Sequence, residues 1–170
     1  NTTGQFLRSL PFAARVGKWF FAHAANTSGK TLNQLNLDLQ NGVTKDGFSS
    51  SILIDPDSLL EARLSPSPWW ERAGTPEATL KSYTANLGVE HIVMGHQPGS
   101  VQFSDGTNRS KGSPFQKFGL IFMIDVGMSQ GVDSNPGIVL HINSNSNKVT
   151  TIYSDGKETT LWNQSLKNKK

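Results

Sequence analysis

Two of the four histidines in this 170-residue chain stand where a short apolar run gives out. His23 follows Trp19-Phe20-Phe21-Ala22, and His96 follows Ile92-Val93-Met94-Gly95. Neutral imidazole is the commonest nitrogen ligand for Zn, Mn and Fe, and the carboxyl ends of strands in layered α/β folds open onto ligand crevices. Ala22, Ala24 and Gly95 beside them are small enough to let a ligand approach the backbone. Each histidine is therefore read either as a metal ligand or as a strand-end residue hydrogen-bonded to a carbonyl, and the repeated context keeps the first reading open. His91, at the start of its run, and His141, inside Val139-Leu140-His141-Ile142-Asn143, are read as structural or surface residues.

Trp69-Trp70-Glu71-Arg72 follows two prolines. The tryptophan pair is read first as packing, whereas a guanidinium fixed beside rigid aromatics is a fork for phosphate or carboxylate. Asp125 closes the run Leu120 to Ile124 and is either a turn residue or a group that orients a metal-bound histidine. No His-x-x-x-His, His-Glu-x-x-His, Gly-x-Ser-x-Gly or phosphate-binding P-loop motif occurs, so zincin, α/β-hydrolase and P-loop chemistries have no support. The absence of cysteine removes disulfide scaffolds, thiolate metal sites and cysteine nucleophiles.

The elements that must position these groups follow from periodicity and punctuation. Val16 to Ala22 reads as a buried strand running into His23. Thr31 with Gln34 three residues on has capping-box spacing, so a helix opens there with Leu32, Leu35 and Leu39 on one face, and Gly42 is expected to stop it. Asp55-Pro56 and Thr75-Pro76 each pair a cap with proline at the first helical position, predicting two further helices. The second of these carries Leu80, Tyr83 or Thr84, and Leu87, and ends at Gly88. Val89 to Met94, Leu120 to Ile124, Ile138 to Ile142, Val149 to Tyr153 and Thr159 to Trp162 read as strands, and Gly99 to Gly112 reads as a loop. The expected fold class is α/β, a layered sandwich with antiparallel strands toward the C-terminus, in one domain over residues 1–170.

Charge and composition narrow the partners. The net charge of +3 owes much to Lys167, Lys169 and Lys170, and no basic stripe interleaved with aromatics appears, so nucleic acid is not expected. No apolar run approaches the roughly 20 residues of a spanning helix, so no membrane partner is expected.

A strand ending in histidine, then Trp70-Glu71-Arg72, a strand ending Gly95-His96 and one ending Ile124-Asp125-Val126-Gly127 resemble, in that order, the C-terminal half of calcineurin-like metallophosphoesterases. The Trp70-Glu71-Arg72 segment is most similar to the bacterial Shewanella-like branch of phosphoprotein phosphatases, and the resemblance runs from about Leu10 to Trp162. It implies a two-sheet α/β sandwich with two divalent metal ions (Mn, Fe or Zn) at its edge. His23 and His96 would ligate one ion, Arg72 would hold the substrate phosphate, and phosphorus would be attacked in line. His23-Ala24-Ala25-Asn26 stands where the family usually has His-Gly or His-Ala-Gly. The family's Asp-x-His, Gly-Asp-x-x-Asp and Gly-Asn-His-Asp/Glu motifs do not occur in the chain.

The resemblance thus implies a metal-dependent phosphomonoester hydrolase acting on a phosphoprotein or small phosphoester. This chain supplies part of the site and is expected to be inactive alone. It is expected to be the C-terminal portion of a domain beginning upstream of Asn1, and either to dimerise or to take up an N-terminal complementing segment. A sheet missing beyond the chain would leave Trp19, Phe20 and Phe21 uncovered. The alternative function is a non-catalytic interaction or carbohydrate-binding module presenting Trp69 and Trp70. Localisation is not separated between cytoplasmic and exported, and the reading leans to exported.

Overall fold

The computed structural model of the chain describes residues 2–72 and 74–164. Helix α1 (Thr2–Ser9) leads into a hairpin of β1 (Ala13–Val16) and β2 (Trp19–Ala22). The single strand expected over Val16 to Ala22 is thus the second arm of a hairpin. Gly17, at φ 57°, turns the chain with Lys18 before Trp19 begins the buried arm.

Helix α2 (Leu32–Asp46) opens with the expected capping box. Thr31 Oγ1 accepts from Gln34 N at 3.3 Å, and Gln34 Oε1 accepts from Thr31 N at 3.0 Å. It does not stop at Gly42 but runs on to Asp46, and Gly47 at φ 61° caps it. Gly42 is instead a close-approach glycine: a Cβ there would run into Ser50 Oγ and lie 2.7 Å from Ile52 Cγ2. The short helix α3 (Ser51–Ile54) that packs on it ends at Asp55, so the helix expected from Asp55-Pro56 does not form. Asp55 Oδ1 accepts from Asp57 N at 2.8 Å and Ser58 N bonds Asp55 O at 2.8 Å, which makes this segment a turn. Helix α4 (Pro76–Leu87) forms as expected, burying Leu80, Thr84 and Leu87 and ending in the left-handed Gly88.

β3 (His91–Met94) follows within a few residues, then a small hairpin of β4 (Val101–Gln102) and β5 (Asn108–Arg109) inside the expected loop, then β6 (Phe115–Lys117) and β7 (Ile121–Met123). The chain closes with β8 (Ile138–Asn143), β9 (Lys148–Tyr153) and β10 (Glu158–Asn163). Two larger sheets result, β1-β2-β3-β7-β6 and β10-β9-β8. In the first, β2, β3 and β7 are parallel and β1 and β6 run antiparallel at the edges; the second is wholly antiparallel. The fold is α/β with antiparallel strands toward the C-terminus.

Strand alternation divides the core. Phe20, Ile92, Met94, Ile121 and Met123 face the helices, where Leu35, Leu59, Leu64, Trp70, Leu80 and Leu87 meet them. Trp19, Val93 and Phe122 face the second sheet, against Val149, with Leu140, Ile142 and Trp162 partly buried around them. Each fully buried large side chain contributes roughly 1.5–3 kcal/mol. Trp19 and Phe20 are therefore covered by the chain's own elements, at 8% and 1% exposure, because β8–β10 supply one cover and the helices the other. Phe21, beside the edge strand β1, is only half-buried.

Candidate functional site

β2 and β3 are neighbours in parallel register, Ala22 opposite Met94, so the residues that follow them emerge side by side. Gly95 N bonds the His23 carbonyl at 2.9 Å, extending the ladder by one rung. His96 then takes a left-handed conformation, φ 72°, costly for a side-chain-bearing residue and found where a surrounding structure over-determines it. That turn brings His96 Nδ1 to 2.8 Å from His23 Nε2, with ring centroids 4.6 Å apart and near edge-on. Burial first, then the charges of His23 and Arg63, holds His96 below the usual imidazole range, which favours the neutral, ligating form. Its Nε2 is buried close to the Glu61 backbone, where no well-formed hydrogen bond meets it.

The loops carrying these residues are tied together by a side chain with no motif around it in the sequence. Arg109, 1% exposed, donates from Nε to Ser113 O at 2.7 Å, from Nη1 to Gln97 O at 2.5 Å and from Nη2 to Asp125 O. One guanidinium thus joins the loop after β3, the loop before β6 and the loop after β7. Burial lowers its pKa and the nearby Asp125 carboxylate opposes that. Gln97 in turn accepts from Leu64 N through Oε1. Asp125 Oδ1 accepts from Gly127 N at 2.9 Å, an Asx turn that shapes its own loop.

Arg72 lies on the neighbouring segment. Its Nη1 pairs with Asp57 Oδ1, Nη2 donates to Arg63 O at 3.2 Å, and Nε donates to Ser67 O at 3.3 Å. Asp57 also faces the other loop, its carbonyl accepting from Asn26 Nδ2 at 2.7 Å, while Ala24 N and Ala25 N both bond Leu59 O. Arg72 is therefore held by the segments adjoining both histidine loops, through Asp57, Arg63 and Ser67 rather than through either imidazole. Asp57 is a second site residue without a sequence expectation; its local signal is the Asp-Pro-Asp turn, which has the spacing of a helix start.

His96, Arg63, Ser65 and Gln97 line a cleft of about 350 Å³. Trp69 and Trp70 stand nowhere near a surface: they are 5% and 0% exposed, edge-on to each other at 5.0 Å, with Tyr83 stacked on Trp69. They hold the Arg72 segment against the core, and no aromatic platform is formed at 69–70. His91 is also buried, stacked on Trp19 at 4.1 Å with Nδ1 2.6 Å from Gly119 O. His141 is exposed on β8. Among the described residues no three His, Asp or Glu side chains cluster as a metal site would require, and no helix is long and apolar enough to cross a membrane.

No protein-family profile and no curated protein matches the chain. Solved structures do. The cold-active protein-tyrosine phosphatase of a psychrophilic Shewanella species superposes with a TM-score of 0.63 at 19% identity, over 94% of this chain and 45% of that one. The fold is phosphatase-like. A further structure of a cold-active protein tyrosine phosphatase gives a TM-score of 0.65 at 21% identity over 96% of this chain, and a point mutant gives 0.59 at 22% over 94%. In each case this chain spans 45% of the matched chain, so it covers under half the length of the phosphatases it resembles in fold.

Proposed function

We propose that this chain is the C-terminal portion of a divalent-metal-dependent phosphomonoester hydrolase of the calcineurin-like kind, closest to the Shewanella-like phosphoprotein phosphatases. The observation that carries the proposal is the convergence of His23 Nε2 and His96 Nδ1, 2.8 Å apart, at the carboxyl ends of adjacent parallel strands in a phosphatase-like fold. Two nitrogens bound to one ion at about 2.1 Å stand roughly 3 Å apart, so the pair fits a single Zn, Mn or Fe. The depressed imidazole, held neutral chiefly by burial, fits the same role. The described residues offer this ion two nitrogens and no third His, Asp or Glu, and they offer a second ion no such cluster of its own.

A bound ion supplies positive charge and Lewis acidity toward phosphoryl oxygen. The chain's own residues do the rest. His23 and His96 hold the ion side, and Arg72 binds the phosphate, exchanging its Asp57 partner for phosphate oxygens through a fork suited to both. Asp125 shapes the loop facing His96, and Arg109 fixes that loop's carbonyl. The substrate is a phosphate monoester, on a protein or a small molecule.

The test is hydrolysis of a chromogenic aryl phosphate with Mn²⁺, by this chain and by the longest polypeptide its gene encodes, alongside Zn²⁺ titration of this chain followed by the imidazole NMR signals. Chelator-sensitive turnover by the longer polypeptide, and Zn²⁺-dependent shifts of His23 and His96 that are absent in His23→Ala, are expected. Turnover indifferent to chelator, or Zn²⁺ shifts that spare both histidines, would overturn the proposal.

A further inference from the structure

The cleft beside His96 carries a positive charge to which the phosphate site gives no role. Arg63 lines it with Ser65, Gln97, Gly99 and Ser100, and among the described lining residues there is no Asp or Glu and no Phe, Tyr or Trp. Arg63 is exposed and stands close enough to His96 for its charge to act on that imidazole. Among the described residues the carboxylate that meets it is Glu61, with Oε2 at 3.7 Å from Nη2 and both side chains about half exposed. An ion pair so long and so open to water is weak, and a better-placed anion displaces it.

Backbone contacts fix Arg63 relative to the phosphate fork. Arg72 Nη2 donates to Arg63 O at 3.2 Å, and Leu64 N, one residue on, donates to Gln97 Oε1. The first contact sets Arg63 beside the guanidinium assigned to the phosphate, and the second pins its segment to the loop after β3. Gln97 commits its side-chain carbonyl to Leu64, which leaves Nε2 as a donor on the cleft wall, together with the hydroxyls of Ser65 and Ser100. The cleft, about 350 Å³, lies at the small end of the range for small-molecule sites, roughly 300–1,000 Å³, and exceeds what a phosphate group alone needs.

We infer that this cleft takes the leaving-group part of the substrate, and that Arg63 selects esters whose alcohol carries a second anionic group. Arg72 holds the phosphate to be removed. The Arg63 guanidinium, released from Glu61, holds a carboxylate or second phosphate on the alcohol, and Gln97 Nε2 and the two serine hydroxyls are donors for its remaining oxygens. A lining of hydroxyls and an amide, without an aromatic face among the described residues, suits a small, aliphatic, polar alcohol: the phosphate ester of a hydroxy acid. The inference rests on the phosphatase proposal for the reaction, but not for binding in the cleft.

Phosphoglycerate and glycerol phosphate form a matched pair, since a carboxylate in the first replaces a hydroxymethyl group in the second. Titrated into this chain without metal, phosphoglycerate should shift the amide signals of Ser65, Gly99 and Ser100 at concentrations about ten-fold lower than glycerol phosphate, and Arg63→Met should abolish the difference. In the longest polypeptide its gene encodes, phosphate release with Mn²⁺ should favour phosphoglycerate about ten-fold in kcat/KM; Arg63→Met should bring the ratio of the two esters close to one, and Arg63→Glu should invert it. The two esters are compared within each variant, so a general loss of activity does not mimic the result. A ratio near one in the parent protein, a ratio that survives Arg63→Met, or shifts that spare Ser65, Gly99 and Ser100 would overturn the inference. Arg63-dependent binding of phosphoglycerate without metal-dependent phosphate release upholds the cleft assignment and removes the phosphatase proposal; metal-dependent release that does not distinguish the two esters does the reverse.

Discussion

Arg109 should prove the costliest single side chain near the site to remove. It is 1% exposed and donates to three carbonyls on three loops, Ser113 at 2.7 Å, Gln97 at 2.5 Å and Asp125, with no carboxylate in direct contact. Hydrogen bonds from a charged group each contribute roughly 1.5–3 kcal/mol, and losing them strands the acceptors. Against that stands the desolvation cost of a buried guanidinium, several kcal/mol, which Arg109→Met relieves. The two partly cancel, and the net expectation for Arg109→Met is a loss of about 2–4 kcal/mol, carried by buried carbonyls left without donors.

Arg109→Lys keeps the charge but replaces a planar fork with a single point, which cannot span three carbonyls, so it should lose more than half as much. Urea unfolding followed by tryptophan fluorescence reads both, since Trp19, Trp69 and Trp70 are buried and Trp162 is half-buried. A positioning role predicts something a merely stabilising one does not: under conditions where the variant stays folded, the imidazole signals of His96 shift and its titration moves, because Gln97 is released. Arg109→Met within about 1 kcal/mol of the parent, or a full-strength Arg109→Lys, would refute the reasoning, since both would mean that the three bonds contribute nothing beyond bulk.

Two further outcomes follow from backbone strain and from charge. Ala25, buried at φ 61°, sits in the left-handed region that costs a residue with a Cβ about 1–2 kcal/mol; Ala25→Gly relieves this, offsetting the lost methyl burial and the added chain entropy, and should leave stability within about 1 kcal/mol of the parent in a urea melt. Acid should unfold the chain along two limbs. His91 and His96 are both held below the usual imidazole range, chiefly by burial, so the stability present above that range is lost as pH falls through their depressed values. Asp105 is held at about 2, first by its hydrogen bond from Lys117, so its contribution, present above the ordinary 3.8, is lost between there and about 2. Melting temperature against pH should lose part of the upper limb in His96→Gln and the lower limb in Asp105→Asn, which also leaves the buried Lys117 ammonium without its carboxylate.

What the sequence made legible is what short-range rules control. The capping box at Thr31, the proline start and glycine stop of α4 and the apolar runs of β3, β7, β8, β9 and β10 all depend on residues within a few positions of one another. The sequence errors turned on what the adjoining elements do. Gly42 looked like a stop because glycine costs a helix about 1 kcal/mol, yet it is needed for the close approach of Ser50 and Ile52. Asp55-Pro56 looked like a cap, yet it follows a helix rather than beginning one. The site divides the same way. Strand ends could be read locally, so His23 and His96 were found, but that their nitrogens meet depends on the parallel register of two strands about seventy residues apart in sequence, and on a left-handed turn at His96. Arg109 and Asp57 lay outside the reading because a buried arginine or a paired aspartate has no local signature. Their roles exist only once the loops after β3, β7 and β2 are brought to one pole. Fold topology therefore places the two residues on which the site's rigidity rests, and variants at those positions separate a pole assembled for ligation from two histidines that merely end neighbouring strands.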